Sequence, residues 1–124
     1  MLAALDLRCF IVDDNKAFLE SAATLLEREG MSVVGVASNG EQALKRTQEL
    51  HPDVLLVDIT LGTESGFDLA RRLVENNPGV GQIIMISTYV AADFADLIEK
   101  TPAVGFLAKS ELSASSIRQL LGVC

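Results

Sequence analysis

Five short runs of consecutive apolar residues punctuate the chain, at 9–12, 33–37, 54–57, 83–86 and 104–108. Val, Ile and Leu dominate them. A strand with one wet face alternates apolar and polar residues. Runs without alternation are expected of strands covered on both faces, as in a parallel sheet clothed by helices.

The stretches between the runs carry helical spacing instead. Residues 16–29 place Phe18, Ala22, Leu25 and Leu26 on one face, and Gly30 stands where a C-terminal cap belongs. A second helix is expected over 40–50, entered at Asn39-Gly40 and stopped by His51-Pro52. A third spans 66–76, before an Asn77-Pro78-Gly79 turn. A fourth spans 91–100, with Phe94, Leu97 and Ile98 on one face, and ends before Pro102. A fifth covers 114–121, with Ser113 as its N-cap.

Strand and helix thus alternate five times. That order predicts right-handed crossovers and a doubly wound α/β fold: a five-stranded parallel sheet with five helices. Ligands of such sheets bind at the carboxyl ends of the strands, beside a topological switch point.

Composition narrows the picture. The chain has 124 residues, the size of one domain, and 49% of them are hydrophobic, enough for a core. A net charge of −7 argues against direct binding to nucleic acid or to an anionic membrane. No apolar stretch approaches the roughly 20 residues that span a bilayer. The first seven residues are broken by Asp6 and carry no basic leader, so no signal peptide is expected. Cys9 and Cys124 have neither metal-ligand nor disulfide-framework spacing. Free thiols and a cytoplasmic location are the expectation.

The candidate chemistry sits at the ends of the apolar runs. Asp13 and Asp14 come after the first, Asp58 after the third, Ser87 and Thr88 after the fourth, and Lys109 after the fifth. In a parallel sheet these ends share one edge, so three carboxylates, a hydroxyl and an ammonium converge. Clustered carboxylates resist joint ionisation unless a cation joins them. A hard, oxygen-seeking ion such as Mg²⁺ suits few carboxylates plus water and a phosphate oxygen. A carboxylate is also a nucleophile toward phosphorus. Charge developing on a transferring phosphoryl group needs partners of the kind that Lys109 and Ser87 or Thr88 provide.

Each residue singly has an ordinary explanation. Asp13-Asp14 would suit a helix N-terminus. Asp58 could be a loop acid, Lys109 a solvated lysine, and Ser87 a satisfied core hydroxyl. Phe106 by residue type is a core residue, and His51 a surface residue rather than a phosphocarrier. Only their coincidence at one edge points to a site. No glycine-rich phosphate loop followed by lysine is present.

Four segments in this order resemble the receiver domains of bacterial response regulators: Phe10-Ile11-Val12-Asp13-Asp14, Val57-Asp58-Ile59-Thr60-Leu61 with Gly66 after it, Ile84-Met85-Ile86-Ser87-Thr88, and Gly105-Phe106-Leu107-Ala108-Lys109. The resemblance covers nearly the whole chain, as a single receiver domain over 1–124 with no output domain. It implies a flavodoxin-like sheet with strand order 2-1-3-4-5. It also implies that Asp58 is the phosphoacceptor and that Asp13, Asp14, Asp58 and the Thr60 backbone carbonyl hold Mg²⁺. Ser87 and Lys109 would contact the phosphoryl group, and Phe106 would be the aromatic switch. Phosphorylation would then draw Ser87 inward, repack Phe106 and remodel the surface of the fourth helix, fifth strand and fifth helix, through which a homodimer could form. The implied partners are a sensor histidine kinase or phosphotransfer protein upstream and a target protein downstream. The implied activity is confined to the domain's own phosphorylation and dephosphorylation.

The sequence departs from the family pattern at Leu61-Gly62, where many relatives have proline, and at Ser110 after Lys109, where many have a cis proline. Thr60 and Tyr89 fall at variable positions expected to tune phosphoryl lifetime. Two other classes compete. A phosphatase of the haloacid-dehalogenase type would also use an aspartate after a strand, but its metal-binding acids lie downstream of the nucleophile, whereas Asp13-Asp14 lie upstream. A phosphorylation-independent interaction domain would not need the intact set of acids, hydroxyl and lysine.

Overall fold

The structure, a computed structural model, describes residues 7–88 and 95–122. Tyr89, Phe94 and Cys124 lie outside the described residues. The strands are β1 (Arg8–Val12), β2 (Ser32–Ala37), β3 (Val54–Asp58), β4 (Thr60–Leu61), β5 (Glu64–Ser65), β6 (Gln82–Ser87) and β7 (Gly105–Ala108). The helices are α1 (Lys16–Arg28), α2 (Gly40–Leu50), α3 (Gly66–Asn76), α4 (Ala95–Lys100) and α5 (Ala114–Leu121). Five strands form one parallel sheet in the order β2-β1-β3-β6-β7. Counting only that sheet's members, this is the expected 2-1-3-4-5 arrangement. The two-residue strands β4 and β5 form a separate antiparallel hairpin.

Alternate residues of the inner strands feed two cores. Cys9, Ile11, Val54, Leu56, Ile84 and Ile86 pack with Leu19, Ala22 and Leu26 of α1 and with Ala114 and Ile117 of α5. Phe10, Val12, Leu55, Val57, Ile83 and Met85 face the other way, against Ala43 of α2 and Phe67, Leu69, Ala70 and Leu73 of α3. All five residues of β3 are buried, which explains why its apolar run shows no alternation. The expectation of full burial fails at the two edges. Five of the six β2 residues and three of the four β7 residues are half-buried, because an edge strand has a neighbour on one side only.

Side-chain caps set the helix starts. Asn15, Asn39, Ser65 and Ser113 each accept a hydrogen bond from the backbone amide three residues on, and Ser113 and Ser116 form a reciprocal capping box. Helix α2 ends at His51, which takes the left-handed region (φ 50°) before Pro52, whose ring disfavours the right-handed helical region at that position. Helix α1 stops one residue short of expectation, with Glu29 as C-cap and Gly30 at φ 94°. Its buried stripe is Leu19, Ala22 and Leu26; Leu25 lies at the stripe's margin and is exposed. Of the fourth helix, residues 95–100 are described; the side chains of Phe94, Leu97 and Ile98 lie outside the described residues. The chain between Lys109 and Glu111 closes into a 3-10 turn, and among the described residues no peptide bond is cis, so Lys109–Ser110 is trans.

Candidate functional site

The chain runs outward from β1 to β2, then returns to the other side of β1 as β3. The carboxyl ends of β1 and β3 therefore flank the point where the winding direction reverses, the usual crevice of such sheets. Register does the rest. Val12 pairs with Val57, so the next residues, Asp13 and Asp58, emerge side by side. Asp58 pairs with Ile86 and Ser87 with Ala108, which brings Ser87 and Lys109 to the same edge.

Asp13 is fully buried, Asp58 is 7% exposed and Asp14 is exposed. One carboxylate oxygen from each lies within 4.8 Å of the others, a set able to hold a metal ion. Lys109 reaches in between, with Nζ 2.6 Å from Asp13 Oδ2 and 3.1 Å from Asp58 Oδ2. The shorter contact is poorly directed and acts as an ion pair; the longer one is also a hydrogen bond. The Thr60 amide donates to Asp58 Oδ1 at 3.2 Å, and the Asn15 amide donates to Asp13 Oδ1 at 2.8 Å.

The electrostatics reflect this crowding. Burial pushes the Asp58 carboxyl above its ordinary range. The Thr60 amide opposes that shift, the Asp13 charge adds to it, and Lys109 opposes it. For Lys109, burial alone would lower the ammonium, but Asp13 and Asp58 together hold it above its ordinary value. The two directions are compatible, because one ammonium is shared between two buried acids. With Asp14 included, three carboxylates against one ammonium leave a formal charge of −2. A divalent cation cancels that charge, and oxygen donors suit a hard one. The residues present therefore fit such an ion.

The hairpin after Asp58 is held closely. The Gly66 amide donates to the Ile59 carbonyl at 2.6 Å. A Cβ on Gly66 would fall 1.9 Å from the Asp58 carbonyl oxygen, so only glycine fits there. Glu64 Oε1 accepts from the Gly40 amide at 2.9 Å, which ties the hairpin to the start of α2. The carbonyl of Ala37, at the end of β2, accepts from the Asp13 amide at 3.0 Å.

Of the residues singled out from sequence, Asp13, Asp14, Asp58 and Lys109 converge directly. Ser87 is buried one strand away. Phe106 is half-buried on β7, paired with Met85 and packed against the core beneath α2 and α3. His51 is exposed at the opposite end of the sheet. It lines a cavity of about 420 Å³ with Pro52, Asp53 and Val74, away from the acids and Lys109. Sequence reasoning missed two contributors, Asn15 and Phe18. The Asn15 amide is bonded to Asp13, and the Phe18 ring lies 4.4 Å from Lys109 Nζ. Capping rules applied to Asn15 would have flagged the first. The second joins opposite ends of the chain and leaves no local signal.

Comparison with known proteins identifies the class. Residues 9–121 match the family model for the response regulator receiver domain, and the chain belongs to that family of two-component signalling modules. It is 34% identical over 104 residues to the transcriptional regulatory protein YvfU of Bacillus subtilis, covering 83% of this chain and 52% of that protein. It is 32% identical to LnrK of the same organism, covering 90% of this chain and 50% of LnrK. The chain thus spans about half the length of these relatives. Among solved structures it resembles a response regulator from Burkholderia pseudomallei that carries a phosphorylated aspartic acid and a calcium ion. That match has TM-score 0.79 and 30% identity, over 93% of this chain and 66% of that one. The response regulator domain of Thermotoga maritima CheB is also similar, with TM-score 0.76 and 26% identity over 96% and 98% of the two chains.

Proposed function

We propose that Asp58 is the phosphoacceptor of this receiver domain. The observation that carries the reading is the convergence of Asp13, Asp14 and Asp58 on one ammonium, Lys109, at the switch point of the sheet. An Asp58 carboxylate oxygen attacks the phosphorus of a phosphohistidine on a sensor kinase or phosphotransfer protein. The P–N bond breaks and its electron pair returns to the imidazole. Hydrolysis of the resulting aspartyl-phosphate by water restores the carboxylate. Mg²⁺ held by Asp13, Asp14, Asp58 and the Thr60 carbonyl would neutralise charge on the transferring group. Lys109 contributes a second positive charge and Ser87 a hydroxyl donor.

The added phosphoryl charge is the signal. Ser87 moves toward it, Phe106 repacks into the space left, and the surface formed by α4, β7 and α5 changes. That surface is the proposed contact for a downstream partner or a second copy. The domain acts in the cytoplasm and turns over no external substrate beyond its own phosphodonor. Among the described residues, no helix is long and apolar enough to cross a membrane.

The test is intact mass spectrometry after incubation with Mg²⁺ and acetyl phosphate, beside an Asp58→Ala control. One added phosphoryl group, absent from the control, is the expected result. No mass gain under rapid quenching would overturn the reading in favour of a phosphorylation-independent interaction domain.

A further inference from the structure

Lys109 is held from a third side. Its Nζ stands 4.4 Å from the centroid of the Phe18 ring, on the first turn of α1. A ring face attracts an ammonium at this distance, more strongly when water is partly excluded. The Lys109 side chain is only 14% exposed, and Phe18 is half-buried against the core beneath α1 and α5.

The contact closes a circuit. Asp13 Oδ1 accepts from the Asn15 amide, Asn15 Oδ1 accepts from the Phe18 amide at 3.1 Å, the Phe18 ring faces Lys109, and Lys109 returns to Asp13 Oδ2. The N-cap of α1 thus fixes Asp13 through the Asn15 amide, and its first turn holds Lys109 through an aromatic face. Lys109 engages Asp13 and Asp58, two of the three acids that would hold a divalent cation.

We propose that Phe18 is a positioning residue that holds the Lys109 ammonium over Asp13 and Asp58 as a resting counter-ion, in competition with the divalent cation. This inference rests on the cation reading given under Proposed function. The π-face stabilises the ammonium where it stands and so opposes its retreat when a cation enters. Phe18 thereby sets the cation concentration at which the site becomes ready for phosphorylation.

The test is Mg²⁺ titration by calorimetry on the whole chain, with no phosphodonor. Phe18→Leu keeps an apolar side chain but loses the π-face, and is expected to bind Mg²⁺ about two- to fivefold more tightly. Phe18→Tyr keeps the face and should bind as the unmodified protein does. Lys109→Met removes the competing ammonium and should itself tighten binding. Adding Phe18→Leu to it should then change nothing, because the ring acts only through the lysine. An effect of Phe18→Leu that persists in the Lys109→Met background, or that Tyr fails to rescue, would mean ordinary packing of α1 and overturn the inference. Unchanged affinity in Phe18→Leu would do the same. Absence of Mg²⁺ binding by the unmodified protein would instead overturn the cation reading, and this inference with it.

Discussion

Gly66→Ala should destabilise the protein, although the usual rule for a helix points the other way. Gly66 is the first residue of α3, and replacing glycine by alanine in a compatible helical position normally stabilises by about 0.5–1 kcal/mol. Here the new methyl would lie 1.9 Å from the Asp58 carbonyl oxygen, 2.7 Å from its carbon and 2.8 Å from Ile59 Cα. All three are backbone atoms, so no rotamer change relieves the overlap. Ordinary contact begins at 3.4 Å, and the segment must therefore move by about 1.5 Å. Overpacking of this kind costs about 1–3 kcal/mol. The same shift strains the 2.6 Å hydrogen bond from Gly66 to Ile59, worth about 1 kcal/mol more. The expected loss is about 2–4 kcal/mol, or roughly 10 °C in melting temperature for a domain of this size. Urea denaturation followed by circular dichroism measures it. The displaced segment carries Asp58, so phosphorylation by acetyl phosphate should slow as well. A Gly66→Ala protein as stable as its parent, or more stable, would refute the close approach on which the geometry of the Asp58 loop is argued.

Asp58→Asn should stabilise the cation-free protein. Its carboxyl is raised in the folded state, so the folded chain binds the proton more tightly than the unfolded chain, whose carboxyl titrates near 3.8. Stability tied to Asp58 therefore falls as pH rises from that value through the folded one, and the variant lacks this decline. Melting curves across the acid range in EDTA would show the two proteins diverging as pH rises; parallel curves would refute the argument. Glu64→Ala should cost about 1 kcal/mol through loss of the hydrogen bond to the Gly40 amide, and Glu64→Gln, which keeps an acceptor oxygen, should restore most of it. Equal melting temperatures for the Ala and Gln variants would show that this tie carries no stability.

Much of the fold was legible because its signals are local. Apolar runs in β1, β3 and β6, the cap at Ser113, and the stop at His51-Pro52 each depend on a few neighbouring residues. The errors came where neighbours do not decide. Leu25 is apolar yet exposed, because the partners of α1 lie against Leu19, Ala22 and Leu26. The two-residue strands β4 and β5 are too short to show a period, and the half-burial of β2 and β7 comes from their places at the sheet edges.

The candidate site divides along the same line. Sequence alone determined which residue types end the strands, since an acid, hydroxyl or lysine after an apolar run is a matter of order along the chain. From that, the gathering of Asp13, Asp14, Asp58, Ser87 and Lys109 at one edge is expected of any parallel sheet. Only the tertiary structure decided that Lys109 lies between Asp13 and Asp58, that Gly66 abuts the Asp58 carbonyl, and that Phe18 covers the ammonium. Those contacts depend on strand register and on the crossing of distant segments. Lys109 and Asp58 are 51 residues apart, well beyond the few residues over which periodicity and capping carry information.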